Sequence, residues 1–220
     1  MGGEVGRSKL EADIFNLLDL ALGPGVNDAT VPSAVGGARL DMLFPHDGAA
    51  LVVEYDGAFF HQDRADTDRR KAHVLRQGQS NLGWNVHVLR IRERPLRRLH
   101  PHDVVVPARP TAQQCARVTM LHLLHTVRRM PYADWAYELE ARVFSFVQAS
   151  RPLDPQTIDC RACRRLEQRF IDNPYRHYGR WHDPAFVWSA GDALAAHRDE
   201  QRAADEQRVI SAGASLLPGQ

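Results

Sequence analysis

The order helix, strand, strand, helix, strand across the first half of the chain predicts an α/β or α+β domain ending near Pro107, followed by a helical C-terminal extension. Three observations carry this expectation. An apolar stripe at helical spacing follows a capping signature near the N-terminus, an Asp-Gly pair separates two apolar runs, and a polar helical stretch precedes a third apolar run.

RSKLEADIFNLL places Ser8 three residues before Glu11, the spacing of a capping box. Leu10, Ile14, Leu17, Leu18 and Ala21 then recur on one helical face, and GPGVN ends the helix. RLDMLF and ALVVEYDG read as two strands around PHDG. ADTDRRKAHVLRQ reads as a polar helix, and NLGW leads into the strand NVHVLRIRE. Beyond PARPT a helix over 112–128 carries Ala116, Met120, Leu123, Leu124 and Val127 on one stripe. A second helix, over 132–149, carries Trp135, Leu139, Val143, Phe146 and Val147. Both stripes are the pattern of core packing. SRPLDP reads as a linker, and a helical tail begins near 188 before fraying into SAGASLLPGQ. The expected organisation is a core over 1–107, a helical extension over 108–150, a small Cys/His module over 151–187 and a tail over 188–220.

With 44% hydrophobic and 25% charged residues, the composition is that of a soluble globular protein. No apolar run approaches the ~20 residues that cross a bilayer, and MGGEVGRSKLEADIF lacks the apolar stretch of a signal peptide. Three cysteines, two of them in CRAC, fit a reducing compartment, so a cytoplasmic location without membrane association is expected. Charge is unevenly spread. Residues 1–60 hold 3 basic and 9 acidic residues, whereas 61–130 hold 14 basic and 5 acidic. An acidic pocket beside a basic belt suits a metal-dependent enzyme acting on a polyanion. An arginine-rich surface would give the same belt, since 26 of the 28 basic residues are Arg.

Asp47-Gly48 is a strong two-residue turn signal. With these residues as the turn, cross-strand partners sum to 95, so Asp41 faces Glu54 and Arg39 faces Asp56. Alternation then puts Leu40, Met42, Phe44, Leu51, Val53 and Tyr55 on one face, and gathers Arg39, Asp41, Glu54 and Asp56 on the other. Opposed like charges destabilise a sheet, and a divalent cation with hard oxygen ligands reverses that. A solvated polar face with an Arg39–Asp56 surface pair is the alternative. His61, five residues past Asp56, has the right chemistry for a general acid or base. Arg69, Arg70 and Lys71 follow early in the next helix, within reach of a phosphate, and Glu11 is either a further metal ligand or only the capping partner of Ser8.

The frame RLDMLFP…LVVEYDGAFFH…LGWNVHVLRIRERPL resembles the PD-(D/E)XK nuclease fold, and within it the very short patch repair (Vsr) endonucleases and related uncharacterised proteins. Those carry an acid on one strand, a strand ending in a DG-x-FWH-like element, and an L-x-x-x-GW-x-V strand followed by an acid. DGAFFH and LGWNV match the last two elements, and Glu93 matches the acid. The likeness covers roughly residues 8–107. It implies a restriction-endonuclease-like core, a mixed sheet flanked by helices, and Mg²⁺- or Mn²⁺-dependent cleavage of double-stranded or mismatched DNA. Carried over by position, it implies Asp41, Glu54 and the Tyr55 carbonyl as metal ligands. Separately from the likeness, Asp56 is expected to assist and Arg90 and Arg92 to be among the DNA contacts. Asp56 stands where the motif has lysine, so His61 or Lys71 would take over part of that role. HQDRAD also departs from the His and Cys that hold zinc in the Vsr endonucleases. A catalytically inactive nucleic-acid- or protein-binding module that keeps the fold is the alternative.

Cys160, Cys163, His177 and His182 give C-x₂-C-x₁₃-H-x₄-H, within the spacing of structural zinc sites. Two loop cysteines and two surface histidines give the same spacing by coincidence in a chain with 11 histidines.

Overall fold

The computed structural model describes residues 8–33, 36–46, 49–76, 85–126 and 133–172. Ser8 caps the first helix, α1 (Lys9–Leu22), its Oγ accepting the Glu11 N–H at 3.2 Å. Gly23, at φ 90°, ends the helix with its N–H on the Asp19 carbonyl at 3.0 Å, a backbone conformation that favours glycine. The strands are β1 (Val26–Ser33), β2 (Gly36–His46), β3 (Ala49–Asp56), β4 (Asn85–Glu93) and β5 (Val104–Val106). The helices α2 (Ala58–His61) and α3 (Ala65–Arg76) join β3 to β4. After β5 come α4 (Ala112–Thr126), α5 (Ala133–Ala149) and α6 (Arg161–Asp172).

The strands form one mixed sheet in the order β1-β2-β3-β4-β5. β1, β2 and β3 are antiparallel neighbours, while β3–β4 and β4–β5 are parallel. The expected α/β class with helices flanking a mixed sheet is therefore present. Every residue of β3 is buried, as in a central strand covered on both faces. One face packs Met42, Phe44, Leu51, Val53 and Ile91 against α1, α4, α5 and α6. The other packs Leu43, Ala50, Val52 and Val88 against Ala72 and Leu75 of α3.

His46↔Ala49 and Met42↔Val53 keep the expected sum of 95 across the β2–β3 hairpin, although the Asp47-Gly48 turn lies outside the described residues. The pairing ends at Met42↔Val53, so neither Asp41–Glu54 nor Arg39–Asp56 is a ladder pair. In the β1–β2 ladder the Asp28/Asp41 position is skipped, with Asp28 at φ 56°. The alternation of β2 changes phase there, and Leu40 joins the α3 side instead of lying with Met42 and Phe44. Arg39 accordingly pairs with Asp28 across β1–β2, not with Asp56.

β1 and β5 are absent from the sequence expectation. β1 reads VNDATVPS, a polar edge strand with proline, and β5 is only three residues long. Among the described residues the helical extension has no core of its own: α4, α5, Ile158, Cys160, Cys163 and Phe170 belong to the same cluster as α1 and the sheet. A buried ion pair ties its parts together. Arg117 of α4 donates to both carboxylate oxygens of Glu167 on α6, at 2.8 and 2.7 Å, and to the carbonyls of Val147, in the last turn of α5, and Ser150, just after it. Among the described residues no helix is long and apolar enough to cross a membrane.

Candidate functional site

The interface between α3 and the sheet changes character along its length. On β3, the alternation that turns Ala50 and Val52 toward α3 continues to Glu54 and Asp56. On β4 it passes from Val88 to Arg90 and Arg92, which stand beside Glu54 and Asp56 in the parallel register. Helical spacing on α3 runs from Leu75 and Ala72 back to Lys71 and Asp68. One end of the interface is therefore apolar, and the other is a layer of buried charge completed by His61 of α2.

Glu54 is 3% exposed. Its Oε2 accepts the Lys71 ammonium at 2.5 Å, and its Oε1 is buried with no hydrogen-bond partner. Burial, and then the charge of Asp41, push the Glu54 carboxyl up to about 7. Asp41 sits where β2 leaves the ladder, its Oδ2 accepting the Tyr55 N–H at 2.8 Å. The carboxylate takes the place of the missing strand partner and lies against the Tyr55 peptide. The structure thus brings Asp41, Glu54, Tyr55 and Lys71 together. Glu11 lies nearby, its charge felt at both Arg39 and the Tyr55 hydroxyl.

Asp56 has a different environment from that expected of an assisting ligand. Arg90 donates to it through Nε at 2.7 Å and through Nη2, and Arg92 donates through Nη1. Both guanidinium groups also reach Asp68, at 3.1 and 3.4 Å. Arg90 and Arg92 are 2% and 1% exposed, so the structure corrects their assignment to DNA contact: they neutralise buried carboxylates and do not face solvent. Asp56 lies with them, its oxygens accepting from the guanidinium N–H groups. His61 joins the same network, its Nδ1 at 3.1 Å from Asp68 and 3.3 Å from Asp56. Hydrogen bonding to Asp68 raises the imidazole above its ordinary value against the opposing effect of burial. One ligand atom each from Asp56, His61 and Asp68 lie within 4.8 Å of one another, a spacing that could hold a metal ion. Two arginines already supply the positive charge there, which makes this the less suitable of the acidic positions.

Glu93 lies apart from this layer. Its Oε2 accepts from Ala58 N–H at 3.1 Å and the Tyr55 hydroxyl at 3.3 Å, and its Oε1 accepts from Arg109 N–H at 2.6 Å. It seats the start of α2 and the turn after β5. Arg69 and Arg70 are exposed on α3, Arg69 holding Asp66 at 2.8 Å. Phe59 and Phe60 of α2 are 80% and 65% exposed, directly before His61.

Asp68 was missed by sequence reasoning, although its i,i+3 spacing to Lys71 puts the two on one helical face. His122 was missed as well. Its Nδ1 lies 3.8 Å from Cys163 Sγ, and His122, Cys160 and Cys163 form a second group with ligand atoms within 4.8 Å. No sequence signal joins residues about forty positions apart. His177 and His182, expected to complete a zinc set with the two cysteines, lie outside the described residues. No family model, curated protein or solved structure matches this chain.

Proposed function

We propose that the protein is a Mg²⁺- or Mn²⁺-dependent DNA endonuclease with a restriction-endonuclease-like core, related in mechanism to the PD-(D/E)XK nucleases. The observation that carries the reading is the Glu54 carboxylate: buried, raised to about 7, and left with one oxygen unpartnered beside Asp41. A buried carboxylate oxygen whose lone pairs no N–H or O–H engages is a hard donor that a divalent cation fits. Asp41 and Glu54 would hold the ion, with the Tyr55 carbonyl alongside. A bound divalent cation there would polarise the phosphodiester and lower the pKa of a water.

The chain's own groups supply the remaining parts. Lys71 places its ammonium on Glu54 Oε2, so an amine from α3 stands at the carboxylate whose motif lysine is replaced by Asp56. There it can orient a nucleophile and balance charge on the phosphate. His61, whose hold on a proton is strengthened by its hydrogen bond to Asp68, can give a proton to the leaving oxygen. Arg69 and Arg70 offer exposed cations to the backbone, and the exposed rings of Phe59 and Phe60 offer faces on which bases stack.

The test is nicking of supercoiled plasmid by purified protein with and without Mg²⁺. Wild type converts plasmid to open circle only with metal, and Asp41→Ala and Lys71→Ala do not. Equal cleavage by wild type and Asp41→Ala refutes the site. Plasmid binding without cleavage at any Mg²⁺ or Mn²⁺ concentration favours the inactive binding module instead.

A further inference from the structure

Cys160 immediately precedes α6 and Cys163 lies in its first turn, so both sulfurs sit at the start of the helix and against His122 of α4. In a tetrahedral zinc site, with Zn–S of about 2.3 Å and Zn–N of about 2.0 Å, ligand atoms stand roughly 3.5–3.8 Å apart. The 3.8 Å from His122 Nδ1 to Cys163 Sγ meets that spacing, and the three ligand atoms all fall within 4.8 Å. Small side-chain adjustments close the set.

The imidazole has no better reason to be where it is. His122 is 2% exposed, its Nδ1 faces sulfur, among the weakest hydrogen-bond partners in a protein, and its Nε2 has no partner. Burial on those terms is unfavourable unless Nδ1 gains a stronger bond. The cysteines are matched to that need. Cys160 and Cys163 each place a sulfur within 4.8 Å of that nitrogen and of one another. Two thiolates and an imidazole select a borderline-soft ion such as Zn²⁺ over Mg²⁺ or Ca²⁺. The group lies in the hydrophobic cluster of α1, α4, α5 and α6, on the opposite face of the sheet from the Glu54 layer. It is therefore a different site from the catalytic centre proposed above, and its metal would not serve that centre.

We propose that His122, Cys160 and Cys163 bind one Zn²⁺ ion that fastens the start of α6 to α4, with a fourth ligand from outside these three. The neighbouring Arg117–Glu167 pair joins the same two helices farther along α6, so the ion and the ion pair hold α6 at two points.

The full chain, purified under reducing conditions without chelator, is expected to carry one zinc per molecule by elemental analysis. X-ray absorption on the wild type is expected to resolve two sulfur ligands and at least one imidazole nitrogen, a readout that needs no variant. Titration with Co²⁺ is expected to saturate at one equivalent, with thiolate charge-transfer bands and the visible bands of a tetrahedral ion. Loss of groups that only support a ligand costs roughly 10–100-fold in metal affinity, so His122→Ala and Cys163→Ser are expected to weaken binding more than about 100-fold. The double variant His177→Ala/His182→Ala is expected to keep the metal. Zinc-free protein with both thiols titratable, a Cys160–Cys163 disulfide that excludes metal, or Co²⁺ spectra unchanged in His122→Ala each overturn the proposal. Metal binding lost in the double histidine variant but kept in His122→Ala overturns it too.

Discussion

Asp56→Asn decides whether Asp56 is a buried counter-ion or a ligand. The substitution preserves shape and removes the charge that accepts from Arg90 Nε and Nη2 and from Arg92 Nη1. Arg90 and Arg92 would then face Asp68 as their nearest remaining carboxylate, which they share with His61. All three members of the broken set are almost fully buried, so solvent cannot screen the excess charge. Removing one partner from such a set costs about 3–5 kcal/mol. At a urea dependence of about 2 kcal/mol per molar, the unfolding midpoint falls by roughly 1.5–2.5 M. Equilibrium urea unfolding, followed by far-UV circular dichroism with and without Mg²⁺, measures it. Mg²⁺ is expected to stabilise wild type and Asp56→Asn by the same amount, because Asp56 lies outside the proposed ligand set of Asp41, Glu54 and the Tyr55 carbonyl. A midpoint shift below about 0.5 M, equivalent to about 1 kcal/mol, refutes the counter-ion role. Loss of the Mg²⁺ effect in Asp56→Asn would instead place a cation among Asp56, His61 and Asp68.

Glu54 and His61 both have raised folded-state pKa values, so the native state holds more protons than the unfolded chain above their ordinary values. Stability without metal should therefore decline between about pH 4.5 and pH 7 as Glu54 ionises, and from about pH 6.5 upward as His61 loses its proton. A divalent cation binds ionised Glu54, so Mg²⁺ should stabilise more strongly above pH 7, and thermal melts across the range with and without Mg²⁺ check both signs. Arg117→Ala should cost about 3–5 kcal/mol, because it leaves Glu167 buried and unpaired between α4 and α6, and chemical denaturation reads the loss. Arg70→Ala should leave stability within about 0.5 kcal/mol and lower the slope of log K against log salt for DNA binding by about 1, measured by fluorescence anisotropy.

The sequence disclosed the frame of the fold through its strongest local signals. The Ser8 cap, the Asp47-Gly48 register and the apolar runs of β3 and β4 each act over a few residues, and each reappears in the structure. β1 and β5 left weak traces, one because an edge strand can remain polar and the other because three residues have no periodicity. The phase change at Asp41 was hidden because nothing local marks the positive φ of Asp28. Within the site, the approach of Glu54 and Asp41 followed from turn arithmetic, although a side-chain bond to Tyr55 N–H replaces the expected ladder pair. Arg90 and Arg92 looked like surface cations because arginine is seldom buried. Their parity with Val88 on one face of β4 held the contrary information. The meeting of His122 with CRAC is a tertiary event between helices, which neither periodicity nor spacing encodes.

A Mn²⁺-soaked crystal, with anomalous differences measured above the manganese edge, tests the central claim most directly. The account predicts a peak between the Asp41 carboxylate and Glu54 Oε1, with Lys71 still on Oε2 and Asp56 still held by Arg90 and Arg92. A peak among Asp56, His61 and Asp68, or no peak on that face of the sheet at saturating Mn²⁺, contradicts it.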